Sequence, residues 1–278
     1  MPRIEIKTAE QIKWMREAGL VVAKIHAALR EAAKPGVTLL ELDEVSAQVI
    51  AQNDAKSNFL GYGGFPATVC ISVNDTVVHG IPDMTRLEAG DLVSFDCGAY
   101  VERGGRQWHG DAAFTMIVGG DEAGSMEARR LNAVTEASMW AALASVATGR
   151  RVSAIGDAVE EAVEEYRDGS WTAGIIEEYT GHGIGTAMHQ APEVLNYSAR
   201  GMSPRIKEGM VLAVEPMLTD GDIETYVLED EWTVKTADGS LASHWEHTVA
   251  KTKDGIWVLT APDGGEAGLA PYGIKPRP

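Results

Sequence analysis

The chain has little cysteine and no long apolar stretch. Its two cysteines, Cys70 and Cys97 among 278 residues, exclude a disulfide framework and a four-cysteine zinc cage, and they favour a reducing, cytoplasmic setting. No segment approaches about 18 uncharged apolar residues, so no membrane span is expected. Charges are scattered through the first two dozen residues, which excludes the apolar region of a signal peptide.

Basic residues are also scarce: Lys and Arg number 24 against 41 Asp and Glu, and the net charge is −17. This balance argues against nucleic-acid binding, which needs clustered cations to displace counterions from phosphates. It is compatible with a cationic substrate. The hydrophobic share of 45% and the charged share of 23% are those of an ordinary globular protein, and the length suits one large or two small domains.

The spacing of apolar residues predicts a first helix from Thr8 to about Ala32 and a second that opens at Thr38. Each start has a capping box, in which a threonine is followed three residues later by Gln11 or Glu41. The segment 67–118 is rich in β-branched residues and punctuated by glycine, which predicts strands.

The same order of elements then recurs. Helices are predicted over 125–146 and 153–166, and strand-like runs follow them. We therefore predict a single catalytic domain over 1–260 with two internal repeats, about 8–118 and 125–260. The Pro- and Gly-rich segment 261–278 is predicted to be a loose tail.

Amino-acid identities repeat as well as the order of secondary-structure elements. RLEAGDLVSFD (86–96) and RIKEGMVLAVE (205–215) share an arginine, a glycine and a final carboxylate at one constant separation, and HGI occurs at 79–81 and again at 182–184. Two such halves can pair about a pseudo-twofold axis, with the sheets buried together and the helices outside. The predicted fold class is therefore α/β (α+β), with Asp96 and Glu215 facing each other across the axis.

Five residues in these repeats are candidates for one site. Asp96 and Glu215 each end an apolar strand, where an ionised carboxylate is costly unless it is paired or metal-bound. Asp111 follows a predicted hairpin tip, ERGGRQ, that places it beside Asp96; Glu246 lies in the corresponding second strand of the other half. His182 lies in GHGIG, where small neighbours leave its imidazole accessible.

Four carboxylates cannot remain charged in one pocket without cations, because their repulsion would force protonation. Two divalent ions would neutralise them, and oxygen-rich ligation with one nitrogen suits Mn, Fe, Co or Zn. Each acid by itself is more often a solvated strand end or part of a salt bridge. The whole set in repeated contexts predicts a metal site.

Other patterns in the chain are weaker. GYGG (61–64) and GHGIG (181–185) do not complete the dinucleotide-binding GxGxxG, and the chain has no HExxH of a single-zinc protease. Cys97 next to Asp96 suggests a nucleophile, but a cysteine in an apolar strand is usually inert packing.

Six short runs occur in order along the chain: CISVNDTVVHGIP (70–82), HGDAAF (109–114), GHGIG (181–185), VEPM (214–217), EWTVKT (231–236) and WEHTV (245–249). Over roughly residues 8–260 they resemble the short form of type I methionine aminopeptidases, which are M24-type metallopeptidases. The resemblance implies the pita-bread fold, a dinuclear metal centre, and removal of the initiator methionine from proteins with a small second residue.

The resemblance also implies roles for individual residues. The metal ligands are Asp96, Asp111, His182, Glu215 and Glu246, of which Asp111 and Glu246 bridge the two ions. Glu215 is the expected proton shuttle, and His79 and His189 contact the substrate around the scissile amide. The methionine pocket is lined by Tyr62, Phe65, Cys70 and Trp232, and by Met188, which stands where the family commonly has an aromatic ring.

The implied partners are the N-termini of nascent polypeptides and the ribosome that presents them, with the protein as a monomer and without nucleic-acid or membrane binding. Two alternatives remain at this stage. A proline-specific aminopeptidase or dipeptidase shares the fold but normally carries a large extra N-terminal domain. A non-catalytic binding homologue should lack ligands, whereas all five are present.

Overall fold

The computed structural model describes residues 3–278. Within them lie five α-helices: α1 (Ala9–Ala32), α2 (Leu39–Gln52), α3 (Met126–Thr148), α4 (Ser153–Glu165) and α5 (Glu266–Leu269). None of these helices is both long and apolar enough to cross a membrane.

Both predicted capping boxes are confirmed. The Thr8 side chain accepts a hydrogen bond from the Gln11 backbone at 3.3 Å, and the Gln11 side chain accepts one from the Thr8 backbone at 2.8 Å. Thr38 and Glu41 make the same pair of contacts at the start of α2. Each box satisfies two backbone N–H groups that have no partner inside the helix, which explains why the helices begin where the sequence indicates.

The strands of the described residues fall into four small sheets, with bounds β1 (Lys56–Ser57), β2 (Val69–Val73), β3 (Thr76–Val78), β4 (Leu92–Arg103), β5 (Arg106–Ile117), β6 (Gly174–Ile175), β7 (Gly181–Gly183), β8 (Gln190–Val194), β9 (Val211–Val214), β10 (Met217–Thr219), β11 (Thr225–Val227), β12 (Val234–Thr236), β13 (Ala242–His244), β14 (His247–Lys251) and β15 (Ile256–Val258). One sheet has the order β1-β4-β2 with β5 beside β4, and another has the order β15-β14-β9-β7-β8. Together these two sheets carry or flank the five predicted ligands.

The predicted hairpin between Asp96 and Asp111 is present. Strands β4 and β5 are antiparallel over their whole length, and the turn uses Gly104 and Gly105, whose φ angles of 59° and 73° suit glycine. Asp96 is opposite Ala113 and Asp111 is opposite Gly98, so the two carboxylates lie diagonally on one face. The apolar run predicted that Asp96 ends its strand. This prediction is wrong, because β4 continues to Arg103 at the exposed hairpin tip.

The two halves are joined by backbone pairing between β5 and the start of β14. Ala113 and Glu246 exchange N–H to carbonyl bonds of 2.9 and 3.3 Å. Next to them, the Thr248 hydroxyl donates to the Asp111 carbonyl at 2.7 Å and accepts from the Asp111 N–H at 3.1 Å. A twofold rotation about this joint exchanges Ala113 with Glu246 and Asp111 with Thr248, so Asp111 and Glu246 lie on corresponding strands but not at equivalent positions.

The two copies of the tripeptide HGI, at 79–81 and 182–184, do not occupy equivalent positions in the two halves. His182 lies in β7, which pairs directly with β9 and is opposite Ala213. His79 follows β3, and the neighbouring Gly80 carbonyl accepts from Ile71 on β2 at 2.9 Å, so β2 separates it from β4. The match of three letters is therefore a coincidence and not part of the repeat.

The prediction of a loose tail is wrong for most of 261–278. Leu269 on α5 is fully buried, and the Tyr272 hydroxyl donates to the Ala137 carbonyl on α3 at 3.2 Å. Near the end, the Arg277 N–H donates to the Ile256 carbonyl at 2.8 Å. Proline and glycine predict the absence of long regular elements here, but they do not prevent tertiary contacts from holding the segment.

A close approach between α1 and β5 supports the strand that carries Asp111. A side-chain carbon on Gly110 would lie 2.8–2.9 Å from the backbone of Gly19 on α1. Glycine at position 110 lets the helix pack directly on the strand. On the same strand, Trp108 and Phe114 are fully buried. This packing places the middle of β5, including Asp111, against α1 and the core.

Candidate metal centre

All twelve residues predicted for the site line one cavity with about 500 Å³ of empty space: Tyr62, Phe65, Cys70, His79, Asp96, Asp111, His182, Met188, His189, Glu215, Trp232 and Glu246. Phe59 and Val78 line it too, although no motif indicates them. The cavity has an acidic end and an apolar end.

The acidic end brings together side chains from both halves. One ligand atom each from Asp111, His182 and Glu246 lies within 4.8 Å of the others. Glu215, directly after β9, has its Oε1 3.3 Å from the His182 Nε2. Three carboxylates and one imidazole therefore converge, and Asp96 lines the same cavity from β4.

Several oxygen atoms at this end are buried without a hydrogen-bond partner in the described part of the chain. They are Asp96 Oδ1, Asp111 Oδ1 and Glu246 Oε1. A buried acceptor that is left unpaired costs about 1–3 kcal/mol, and more when it is charged. Three such atoms in one cluster are expected where cations complete the coordination. The residues present therefore fit divalent metal ions.

The acids hold protons tightly when they are surrounded by protein alone. Burial raises the pKa of Asp96 to about 7. Burial, and then the charge of neighbouring acids, raises the pKa of Asp111, Glu215 and Glu246 well above the usual range. Burial lowers the pKa of His182 to about 3, so this imidazole is neutral and keeps a lone pair for a metal.

We expect the metal-free protein to lose stability as the pH rises from about 6.5 to 8. In the folded state the four acids retain protons that the unfolded chain has already released, so a higher pH favours unfolding. Each retained proton changes the free energy of unfolding by about 1.4 kcal/mol per pH unit. The melting temperature of chelator-treated protein across this range measures the effect.

Other titrating groups limit this pH range on both sides. Below a pH of about 6.5, histidines whose pKa is lowered by burial oppose the trend, because only their unfolded forms gain protons. Above about 8, the lowered pKa of Lys7 acts in the same opposing direction. The control is metal-loaded protein, which should show little pH dependence. A flat melting temperature without metal would contradict the prediction.

Two further histidines, His79 and His189, line the cavity. His79 has a φ of +59°, a conformation that is rare for a residue with a side chain, and its ring meets the edges of Tyr179 and Trp232. His189 is exposed, and its Nδ1 lies 2.8 Å from the Tyr62 hydroxyl. Burial lowers the pKa of both imidazoles, that of His79 to about 4.

A further histidine, His244, lies behind the cluster and is not indicated by the motifs. Its ring is buried, with Nε2 3.7 Å from the Glu215 Oε2. The only signal in the sequence is its position two residues before Glu246, just outside the run WEHTV. It contacts the carboxylate on which the predicted proton transfer depends.

The apolar end is built from sulfur and aromatic side chains. Phe65 packs edge-on against Trp232 with ring centroids 5.2 Å apart, and Phe59 packs against Phe65 at 6.4 Å. Met188 and Cys70 complete this small cluster. Burial raises the pKa of the Cys70 and Cys97 thiols well above the usual value, so neither is a thiolate nucleophile.

Comparison with known proteins agrees with this architecture. The model of metallopeptidase family M24 matches residues 13–253. The chain therefore belongs to metallopeptidase family M24.

Similar proteins of known activity show to which group within family M24 the chain belongs. Methionine aminopeptidase 1 of Mycobacterium tuberculosis is 47% identical over 261 residues, which covers 91% of this chain and 94% of that protein. The crystal structure of methionine aminopeptidase from Thermotoga maritima matches with a TM-score of 0.85 at 36% identity, over 93% of this chain and 99% of that one. Within the family, the chain falls among the methionine aminopeptidases, and the predicted pita-bread fold is confirmed.

A prolidase from Pyrococcus furiosus shares the fold alone. It matches with a TM-score of 0.68 at 23% identity, and the match covers 92% of this chain but 65% of the prolidase. The prolidase thus has a substantial part with no counterpart in the match, as expected for proline-specific enzymes that carry an extra domain.

Proposed function

We propose that this chain removes the N-terminal methionine from polypeptides whose second residue is small, and that it does so in the cytoplasm. The observation that carries the proposal is the cavity itself. It joins a buried carboxylate cluster to an apolar pocket of aromatic rings, a thioether and a thiol. Thioether and aromatic surfaces both suit the flexible, polarisable side chain of methionine.

In this proposal Asp96, Asp111, His182, Glu215 and Glu246 hold two divalent cations, for which Mn, Fe, Co and Zn are the candidates. The unpaired carboxylate oxygens and the neutral His182 support this set. When bound, such ions lower the pKa of water and stabilise negative charge on a carbonyl oxygen.

Glu215 is proposed to move the proton of the reaction. Its carboxylate accepts a proton from the attacking water as the oxygen bonds to the carbonyl carbon, and it passes that proton to the amine as the C–N bond breaks. Glu215 lines the cavity and its Oε1 lies 3.3 Å from the His182 Nε2, so its carboxylate is within the cluster where the amide is cleaved in this proposal. His79 and His189 are proposed to hold the amide that is cleaved.

The acidic end also explains why one residue is removed at a time. The free ammonium of a polypeptide N-terminus is stabilised next to carboxylates and is costly to bury elsewhere. With the methionine side chain in the apolar end, the first peptide bond is the one that lies between them. The net charge of −17 further favours the approach of cationic termini.

We propose that the two halves are repeats in one domain of residues 1–260 and that the protein acts as a monomer on nascent chains at the ribosome. The twofold joint between Asp111 and Thr248 supports the repeat. The cavity is lined by residues of both halves of this one chain, which supports a monomer.

Tripeptide hydrolysis tests the proposed function. We expect metal-loaded protein to release methionine from Met-Ala-Ser, with kcat/KM at least about 100-fold above that for Leu-Ala-Ser or Ala-Pro-Ser, because a misfit in the pocket forfeits about 3 kcal/mol. Titration with Mn, Fe, Co and Zn identifies the active metal. Preferential cleavage of Ala-Pro-Ser would favour the proline-specific alternative, and inactivity with every metal would favour a binding homologue.

A further inference from the structure

The loop between β7 and β8, taken with the first residue of β8 as residues 184–190, carries two cavity residues. Its start is anchored in the core, because Ile184 is buried and its N–H donates to the Val211 carbonyl at 3.2 Å. Met188 points inward and is buried, whereas Ala187 and His189 are exposed. The Tyr62 hydroxyl restrains the His189 ring from one side, but Tyr62 is itself 46% exposed. An exposed side chain that must meet the substrate accurately needs further support for its backbone.

The N-terminal segment, residues 3–7, supplies that support from the opposite end of the chain. The Glu5 carboxylate accepts hydrogen bonds from the Thr186 N–H at 3.1 Å and from the Thr186 hydroxyl at 2.9 Å. The same hydroxyl accepts from the Gln190 side chain at 3.2 Å. Glu5 therefore holds Thr186, and Thr186 in turn holds Gln190 at the other end of the loop.

Lys7 completes this contact. Its side chain is 1% exposed, and its Nζ donates to the Gln190 Oε1 at 3.4 Å and lies 3.5 Å from the Glu5 Oε2. The Lys7 N–H donates to the Gly209 carbonyl at 2.8 Å, which anchors the segment just before β9. A buried ammonium is costly unless it is paired, so the polar contacts of Lys7 form a defined arrangement and not a loose surface contact.

The backbone of the loop is shaped to receive this segment. A side-chain carbon on Gly185 would lie 2.2 Å from the Glu5 Oε2 and 2.4 Å from the Lys7 Cε. A side chain at position 185 would displace the Glu5 and Lys7 side chains from their present positions.

We propose that Glu5 and Lys7 are positioning residues, which hold the loop 184–190 so that His189 and Met188 meet the substrate. This inference rests on the proposed methionine removal and adds a part of the chain that lies outside the cavity. The segment acts through the loop and does not touch the substrate.

Two substitutions of Thr186 form a matched test. Thr186→Val keeps the shape but removes the hydroxyl that links Glu5 to Gln190, whereas Thr186→Ser keeps the hydroxyl. With Met-Ala-Ser and saturating metal, we expect Thr186→Val to lower kcat about tenfold with KM within about twofold, because a misplaced His189 holds the amide poorly in the transition state. Thr186→Ser should stay within about twofold of the parent, and the metal content of both variants should be unchanged.

Hydrogen–deuterium exchange of the metal-free protein provides a readout that does not depend on catalysis. We expect faster exchange over 184–190 in Thr186→Val and in Glu5→Gln, with unchanged exchange over β4. A lower melting temperature with parental kcat and parental exchange in the loop would show a merely structural role and would overturn the inference. An inactive parent protein would contradict the proposed function instead, and the exchange data would still decide whether the segment holds the loop.

Discussion

Glu215→Gln is expected to lower kcat by about 10³-fold while the fold is retained. The amide has nearly the same shape but cannot take the proton of the attacking water, and loss of a general base costs about 10²–10⁴ in rate. Glu215 is buried and lies 3.3 Å from His182 and 3.7 Å from His244, so the substituted side chain remains in the same setting. Steady-state hydrolysis of Met-Ala-Ser measures the loss.

Glu208→Gln is the matched control, since Glu208 is exposed and lies outside the cavity. It removes the same charge and should leave kcat unchanged. Metal content must be measured alongside, because Glu215 is also a proposed ligand. If Glu215→Gln kept more than about a tenth of the parental kcat with its full metal content, Glu215 would not be the proton shuttle.

Asp111→Asn should have opposite effects on activity and on stability. The variant loses a proposed bridging carboxylate, so we expect metal affinity and kcat/KM at limiting metal to fall by at least about 100-fold. At pH 8 without metal, however, the variant should melt at a higher temperature than the parent. The reason is that burial and the neighbouring Asp96 and Glu215 make a charged Asp111 unfavourable, as its raised pKa indicates.

Calorimetric titration with metal and thermal melting of the metal-free protein measure the two effects. Asp121→Asn, at an exposed position in the same half, should change neither. A parental metal affinity in Asp111→Asn would contradict its role as a ligand. A lower melting temperature at pH 8 would contradict the view that the empty cluster destabilises the fold.

Local features of the chain were predictable because they depend on near neighbours. The capping boxes at Thr8 and Thr38 act over three residues, and the turn at Gly104 and Gly105 closes a hairpin between adjacent strands. The repeat of 86–96 in 205–215 also allowed a prediction over a long distance in the chain. It related Asp96 to Glu215 without any knowledge of how the halves pack. The family resemblance supplied the remaining site residues.

Other features depend on contacts between distant segments. His244 approaches Glu215 because β13 pairs with β10, which directly follows Glu215 and Pro216. The packed tail depends on contacts of Leu269 and Tyr272 with the body of the protein. The interpretation of HGI as part of the repeat was wrong, because three matching residues do not specify which strand a residue pairs with.

The sequence by itself determined where the helices begin and which residues line one cavity, and it predicted that the carboxylates gathered there need cations. Those conclusions rest on residue type and on spacing within a single element. The tertiary structure alone decided how Ala113 and Glu246 pair across the joint and that Glu5 and Lys7 reach the loop carrying His189. These contacts join positions far apart in the chain, and hydrogen-bond geometry between such positions exists only once both halves have packed.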